Sequence, residues 1–185
     1  MREIVLDLED IYQAEHIDKE QLQKVEHDLT EEDHEWYNTH GWEYFRPENH
    51  TDYLLPELGK PIFLSRNYKD LVVEINGKRW KLLFDFNYNY EPYEAKGKRV
   101  IFRETDEPLT KSDRKPSKNR FDYHIKIFGQ PVWVQGEHYL AYKGKPCHHL
   151  ATIESGWGDC GNWNILIGCN EQGDPEVAYF EASCC

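Results

Sequence analysis

"LVVEINGKRWKLLFDF", residues 71–86, decides how the chain is read. Leu71–Ile75 and Lys78–Phe86 are rich in aliphatic and aromatic side chains, and Asn76-Gly77 separates them. Both turn residues tolerate positive φ, which a two-residue type I′ turn needs, so the stretch is predicted to form a β-hairpin. The pattern recurs. "KRVIFRE" (98–104), "FDYHIKIFG" (121–129), "CHHLATIE" (147–154), "NWNILIGCN" (162–170) and "EVAYFEASCC" (176–185) all read as strands. The last two flank "EQGDP", a loop of hairpin length, and are predicted to pair.

Upstream the period changes. Residues 12–35 hold no proline, and Ile17, Leu22, Val25 and Leu29 recur at near-helical spacing, so a helix is predicted there. Thr30 followed by Asp33 resembles the N-cap of a second short helix, and Gly41 suits its stop. "WEYFRPENHTDYLLPELGKP" (42–61) reads as an irregular crossing, and "TDEPLTKSDRKPSKNR" (105–120) as a mobile loop, charged and almost without apolar anchors. The expected class is α+β, with an N-terminal helical segment on mostly antiparallel sheet. One domain of 185 residues is expected. It runs from an acidic, aromatic-rich region (1–60) through a hairpin subdomain (61–104) and the loop to a C-terminal sheet (121–185).

Charge placement points to function. Residues 1–60 hold 17 Asp or Glu against 5 Lys or Arg, whereas residues 61–185 hold 17 of each, so the whole net charge of −12 sits in the first third. Such a field repels nucleic acid and speeds encounter with a basic partner, although a solvated face would look the same. No apolar run approaches the roughly 18–20 residues that span a membrane. "MREIVLDLED" lacks the apolar core of a leader peptide, so a cytoplasmic protein with reduced, unpaired thiols is expected.

The five cysteines and their histidine neighbours supply metal-ligand types without metal-ligand spacing. No C-x₂-C knuckle occurs, and His148-His149 and Cys184-Cys185 are neighbours that point to opposite faces of a strand. Cys160, in the turn "WGDCGN" beside Asp159, is a candidate nucleophile with His148 or His149 as base. A structural turn explains the same residues: Gly158 and Gly161 free the backbone and Asp159 caps it. No P-loop, dinucleotide fingerprint, G-x-S-x-G or H-E-x-x-H is present. No catalytic residue, metal or cofactor is therefore expected.

"IFGQPVWVQG" (127–136), "GKP" (144–146), "WGDCGNWNILI" (157–167) and "AYFEASCC" (178–185) together resemble the YwqG-like family of bacterial proteins. Gly129, Pro131 and Gln135 match one family motif, and Trp157, Gly158, Asp159 and Gly161 another; Phe128 stands where a glycine is usual, and Cys160 where Ser or Ala is common. The resemblance covers residues 121–185. It implies a context rather than an activity, since some such genes lie beside polymorphic toxin loci where small acidic proteins serve as immunity proteins. The expected function is thus a non-enzymatic protein-binding protein, an immunity protein that occupies the cleft of a basic toxin domain. Glu31, Glu32, Asp33, Glu35, Trp36, Tyr37 and Trp42 are its expected contact residues. The alternatives are an enzyme or metal-binding protein using Cys160, Asp159 and His148, and a housekeeping interaction protein with no toxin.

Overall fold

The computed structural model describes residues 1–25, 31, 52–65, 71–86, 94–114, 124–133, 136–154 and 162–183. Asn76 and Gly77 take φ of 50° and 83°, as a type I′ turn requires, and they join two strands in the expected register. In chain order the strands are β1 (Glu3–Asp10), β2 (Glu15–His16), β3 (Gln23–Lys24), β4 (Tyr53–Leu54), β5 (Ile62–Leu64), β6 (Leu71–Ile75) and β7 (Lys78–Asp85). There follow β8 (Arg99–Glu104), β9 (Ile125–Ile127), β10 (Leu140–Tyr142), β11 (Lys145–Pro146), β12 (His148–Glu154), β13 (Asn162–Cys169) and β14 (Pro175–Ser183). Nine of them form one sheet, β5-β9-β12-β13-β14-β1-β8-β7-β6; β11-β10-β2 and β3-β4 are small separate sheets.

The expected α+β class is corrected to mostly β. Among the described residues strand accounts for 52% and helix for 6%, and no described helix reaches seven residues. Over residues 12–25, where the N-terminal helical segment was expected, the chain makes two 3-10 turns, Ile11–Gln13 and Lys19–Gln21, set between β1, β2 and β3; of residues 26–41, which hold the rest of that segment and the expected second helix, only Glu31 lies among the described residues. The reason is tertiary pairing. His16 and Glu15 pair with Leu140 and Ala141, and Gln23 and Lys24 pair with Leu54 and Tyr53. The Asp18 carboxylate accepts the Glu20 N–H and closes a single turn rather than opening a helix. The five-residue step from Ile17 to Leu22 also falls off the helical period.

Every neighbouring pair in the large sheet is antiparallel except β1 with β14. β1 divides its pairing. Glu3–Asp7 run antiparallel to β8, and Leu8–Asp10 run parallel to β14. One face of the sheet curls around a core that includes Leu8, Val73, Trp80, Leu82, Phe102, Ile127, Ile153, Trp163, Ile165 and Phe180. On the opposite face of β13 and β14, Leu166 and Tyr179 join a second core with Ile11, Ile17, Trp133, Tyr139, Leu140 and Cys147. β13 is therefore buried on both faces from Asn162 to Gly168. A Cβ on Gly168 would lie 2.6 Å from the Tyr142 side chain, so glycine is what lets β10 settle onto β13.

The stretch expected as a mobile loop does specific work up to Arg114; residues 115–120 lie outside the described residues. The Thr110 N–H donates to the Val72 carbonyl at 3.0 Å, and the Thr110 hydroxyl accepts the Val72 N–H at 2.9 Å. Three residues on, Asp113 N–H donates to the Phe63 carbonyl at 3.0 Å. The Ser112 hydroxyl accepts the Phe63 N–H at 3.0 Å, and the Asp113 carboxylate takes the Ser65 N–H and hydroxyl at 2.8 and 3.0 Å. Val72 lies on β6 and Phe63 on β5, the two end strands of the sheet. One short strap thus covers both open edges and links them, which removes the free strand edges that invite aggregation.

Asp113→Ala is expected to destabilise the protein by about 1 kcal/mol. It should speed amide hydrogen exchange at Phe63 and Ser65 more than at Ile165 in the sheet centre. Equal protection in variant and wild type would show that the strap does not hold the edge.

Candidate functional site

An acidic, aromatic layer covers the outer face of β13 and β14. It starts where β1 ends. The 3-10 turn Ile11–Gln13 buries Ile11 in the outer core and leaves Tyr12 80% exposed. The Tyr12 ring meets His138 edge-on, at 5.7 Å between centroids and 89° between planes. His138 also touches His16 at 6.0 Å and Trp133 at 5.7 Å. Burial, and then the nearby His16, hold His138 below its ordinary value.

The layer continues into Trp133–Tyr139 and Tyr53–Tyr139 ring contacts. The Tyr139 hydroxyl accepts the Tyr53 N–H at 3.1 Å, and Glu137 accepts the Asp52 N–H at 2.9 Å. Burial raises the Tyr139 phenol, which stays protonated. Lys19 Nζ sits 5.6 Å from the centre of the Tyr139 ring and 5.9 Å from that of Tyr53. Around these rings Glu9, Glu15, Asp18, Glu20, Asp52 and Glu57 are exposed, and Lys19, Lys24, Lys143 and Lys145 are exposed cations of the same small sheets and turns. Beside them opens a cleft of about 440 Å³ between β3, β4 and Gln130, lined by Leu22, Leu54, Leu55 and Pro56 among others.

Beneath the layer runs a buried polar row. Lys126, Thr152, Asn164 and Glu181 stand opposite one another on β9, β12, β13 and β14. Thr152 donates to Asn164 Oδ1 at 2.7 Å. The Asn164 amide grips the backbone of Val132 with both ends, donating to its carbonyl at 2.8 Å and accepting its N–H at 3.2 Å, and also donates to Glu181 at 3.3 Å. A bulge between His149 and Ala151 places His149 and Thr152 on the same face, with Nε2 2.8 Å from the hydroxyl. His149 Nδ1 lies 2.9 Å from the Phe128 carbonyl. Burial, and then the Lys126 ammonium, push His149 down to about 3. Burial pushes Glu181 up to about 7 against the opposing Asn164 hydrogen bond. The row is sealed, and its partners are the backbone of the covering segment; it fixes the outer layer on the sheet.

Of the expected contact residues, Glu31 is described and exposed; Glu32, Asp33, Glu35, Trp36, Tyr37 and Trp42 lie outside the described residues. Gly158, Asp159, Cys160 and Gly161 lie outside them too. His148 Nδ1 donates to the Pro56 carbonyl at 2.8 Å. Both described cysteines are free thiols. Burial raises Cys147 to about 12 and Cys169 to about 11, which keeps them protonated and poorly nucleophilic. Among the described residues no three His, Cys, Asp or Glu come together in a way that would hold a metal ion. No described helix is long and apolar enough to cross a membrane. Tyr12, Trp133 and His138 are members of the layer that sequence reasoning did not single out.

No protein-family model, no curated protein and no solved structure matches the chain. The backbone at Phe128 and Gly129 is unusual. Phe128 takes φ of +63° and Gly129 +70°, so the chain turns through two left-handed residues. At Gly129 a Cβ would lie 3.0 Å from Pro61, whereas Phe128 keeps its ring in the inner core.

Two outcomes follow from this geometry. Phe128→Ala and Phe128→Gly should both destabilise through the lost ring, but the glycine variant should be the more stable by about 1 kcal/mol, because only alanine keeps the left-handed strain. Denaturant unfolding decides it, and alanine as the more stable variant would refute the strain. A carboxyl whose folded pKa is raised loses stability as pH climbs from its ordinary 4.5 to about 7, here by roughly 3 kcal/mol. Glu181→Gln should therefore gain on wild type steadily between pH 4.5 and 7 and no further above. Parallel stability–pH curves would show that the burial of Glu181 has no such effect.

Proposed function

We propose that this is a cytoplasmic, non-enzymatic protein-binding protein whose acidic, aromatic outer layer docks a basic protein, and that it acts as an immunity protein occupying a toxin's active cleft. The observation that carries the reading is the coincidence of exposed acids with an exposed aromatic ring on one layer: Glu9, Tyr12, Glu15, Asp18 and Glu20 follow one another on the surface over the sheet. Excess negative charge steers a basic partner, and a large rigid ring supplies contact area at low entropic cost. Glu31 and the expected contact residues after it extend the same acidic region in sequence. The toxin context comes from the YwqG-like resemblance of residues 121–185. In a basic nuclease, such acids would stand in for substrate phosphates.

The test is capture from the native organism with the tagged chain, at low and high salt, followed by affinity measurement on the partner obtained. A basic protein bound one to one and released by salt is expected. Lysine in place of Glu9, Glu15, Glu20 and Glu31 should then weaken binding by orders of magnitude with an unchanged circular dichroism spectrum. Unchanged affinity would remove this surface, and the lack of any stable partner at low salt would overturn the binding reading.

A further inference from the structure

The cleft of about 440 Å³ beside β3 and β4 has a wall that is fixed in advance. The Gln130 side chain, itself buried, accepts the Leu55 N–H at 3.0 Å and donates to the Leu55 carbonyl at 2.9 Å. His148 Nδ1 lies 2.8 Å from the carbonyl of the next residue, Pro56. These two grips hold the Leu55-Pro56 wall in shape before any partner arrives, which lowers the cost of binding.

The lining indicates what fits. Leu22, Leu54 and Pro146 are half-buried and Pro56 is exposed, so apolar surface remains open to the cleft. Among the described residues Glu57 is the one charged residue of the lining; Lys24 and Lys145, next in sequence to lining residues, do not line it. Among the described residues no ion pair reaches Glu57 either. An apolar cleft with one carboxylate and no counter-charge suits a side chain that is apolar along its length and positive at its tip. Lysine and arginine both qualify, and the carboxylate separates them. Glu57 Oε1 already accepts from Gln130 Nε2 at 3.3 Å. The other oxygen is left as a single-point acceptor, which matches an ammonium, whereas a guanidinium fork takes both oxygens at once.

We propose that this cleft seats a lysine side chain of the protein partner, its apolar stem against Leu22, Leu54 and Pro56 and its ammonium on the second carboxylate oxygen of Glu57. The proposal rests on the protein-binding reading and narrows it to the side chain that this cleft recognises.

The test titrates four peptides into the isotope-labelled full chain at low salt, read by amide chemical shifts. The peptides are acetyl-Gly-Gly-X-Gly-Gly-amide with lysine, arginine, norleucine or alanine at X; norleucine keeps the stem without the ammonium, and alanine lacks both. With the lysine peptide, saturable shifts are expected at Leu54, Leu55 and Glu57 and in the Gln130 side chain. The norleucine peptide should bind roughly three- to fivefold more weakly, the arginine peptide more weakly than lysine, and the alanine peptide least. Glu57→Gln keeps the shape of the side chain and should bring the lysine peptide down to the norleucine affinity while leaving norleucine unchanged. Equal affinity for the lysine and norleucine peptides, lysine-peptide shifts that fall outside the cleft, an arginine peptide that binds as tightly as lysine, or no effect of Glu57→Gln would each overturn the proposal. The two readings fail separately. If a captured basic protein is weakened by lysines at Glu9, Glu15, Glu20 and Glu31 but not by Glu57→Gln, the acidic surface stands and the lysine seat falls. If the lysine peptide binds in the cleft through Glu57 but no protein is captured from the organism, the seat stands and the protein-partner reading falls.

Discussion

β1 is the strand on which the rest of the molecule depends. Its first half pairs antiparallel with β8 and its last three residues pair parallel with β14, so one strand splices two antiparallel sets into a single sheet. Leu8 sits at the handover, buried in the inner core, and its N–H donates to the Lys98 carbonyl at 2.9 Å. Asp10 then accepts the Ala95 N–H at 3.1 Å and fixes the approach to β8. Far from the splice, the strap from Thr110 to Asp113 joins the two end strands. A sheet held at its middle by β1 and at its edges by the strap can curl around one core. A third tie adds to this at the open end. Arg2 and Lys78 reach Asp174 at 3.0 and 2.8 Å, and although burial raises that carboxyl, their hydrogen bonds hold it below its ordinary value.

This arrangement separates the buried core from the exposed outer layer. The curled sheet buries its apolar face internally, and the buried polar row presents hydrogen bonds to the covering segment. Because the row lies on one face only, a one-residue slip of β13 would turn Asn164 into the inner core and Ile165 out of it. The register, and with it the seat of the outer layer, is fixed by that cost. The outer layer is then free to carry exposed acids and Tyr12 without endangering the core.

Much of the sheet was legible in the sequence. The hairpin at Asn76-Gly77, the pairing of β13 with β14 and the existence of β8, β9 and β12 follow from local pattern and turn chemistry. β1 was within reach, since Ile4, Leu6 and Leu8 alternate with Glu3, Val5 and Asp7, but a strand pairing differently along its length leaves no local mark. Over residues 12–25 the helical expectation failed because strands of two residues are made by their partners and have no period of their own. The strap could not be read either, because Thr110, Ser112 and Asp113 look like solvated loop until the edges they cover are in place. At the outer layer the excess of acid was plain from composition. Its meeting with His138 and Trp133 was not, because those residues arrive from more than a hundred positions away.

The splice at β1 is tested most directly by cross-strand nuclear Overhauser effects in a uniformly labelled sample. Contacts between Val5 and Ile101 in an antiparallel pattern and between Glu9 and Tyr179 in a parallel pattern are expected from the same molecule. Antiparallel contacts to β8 along the whole of β1, with none to Tyr179, would mean that the two halves of the sheet are not joined in this way.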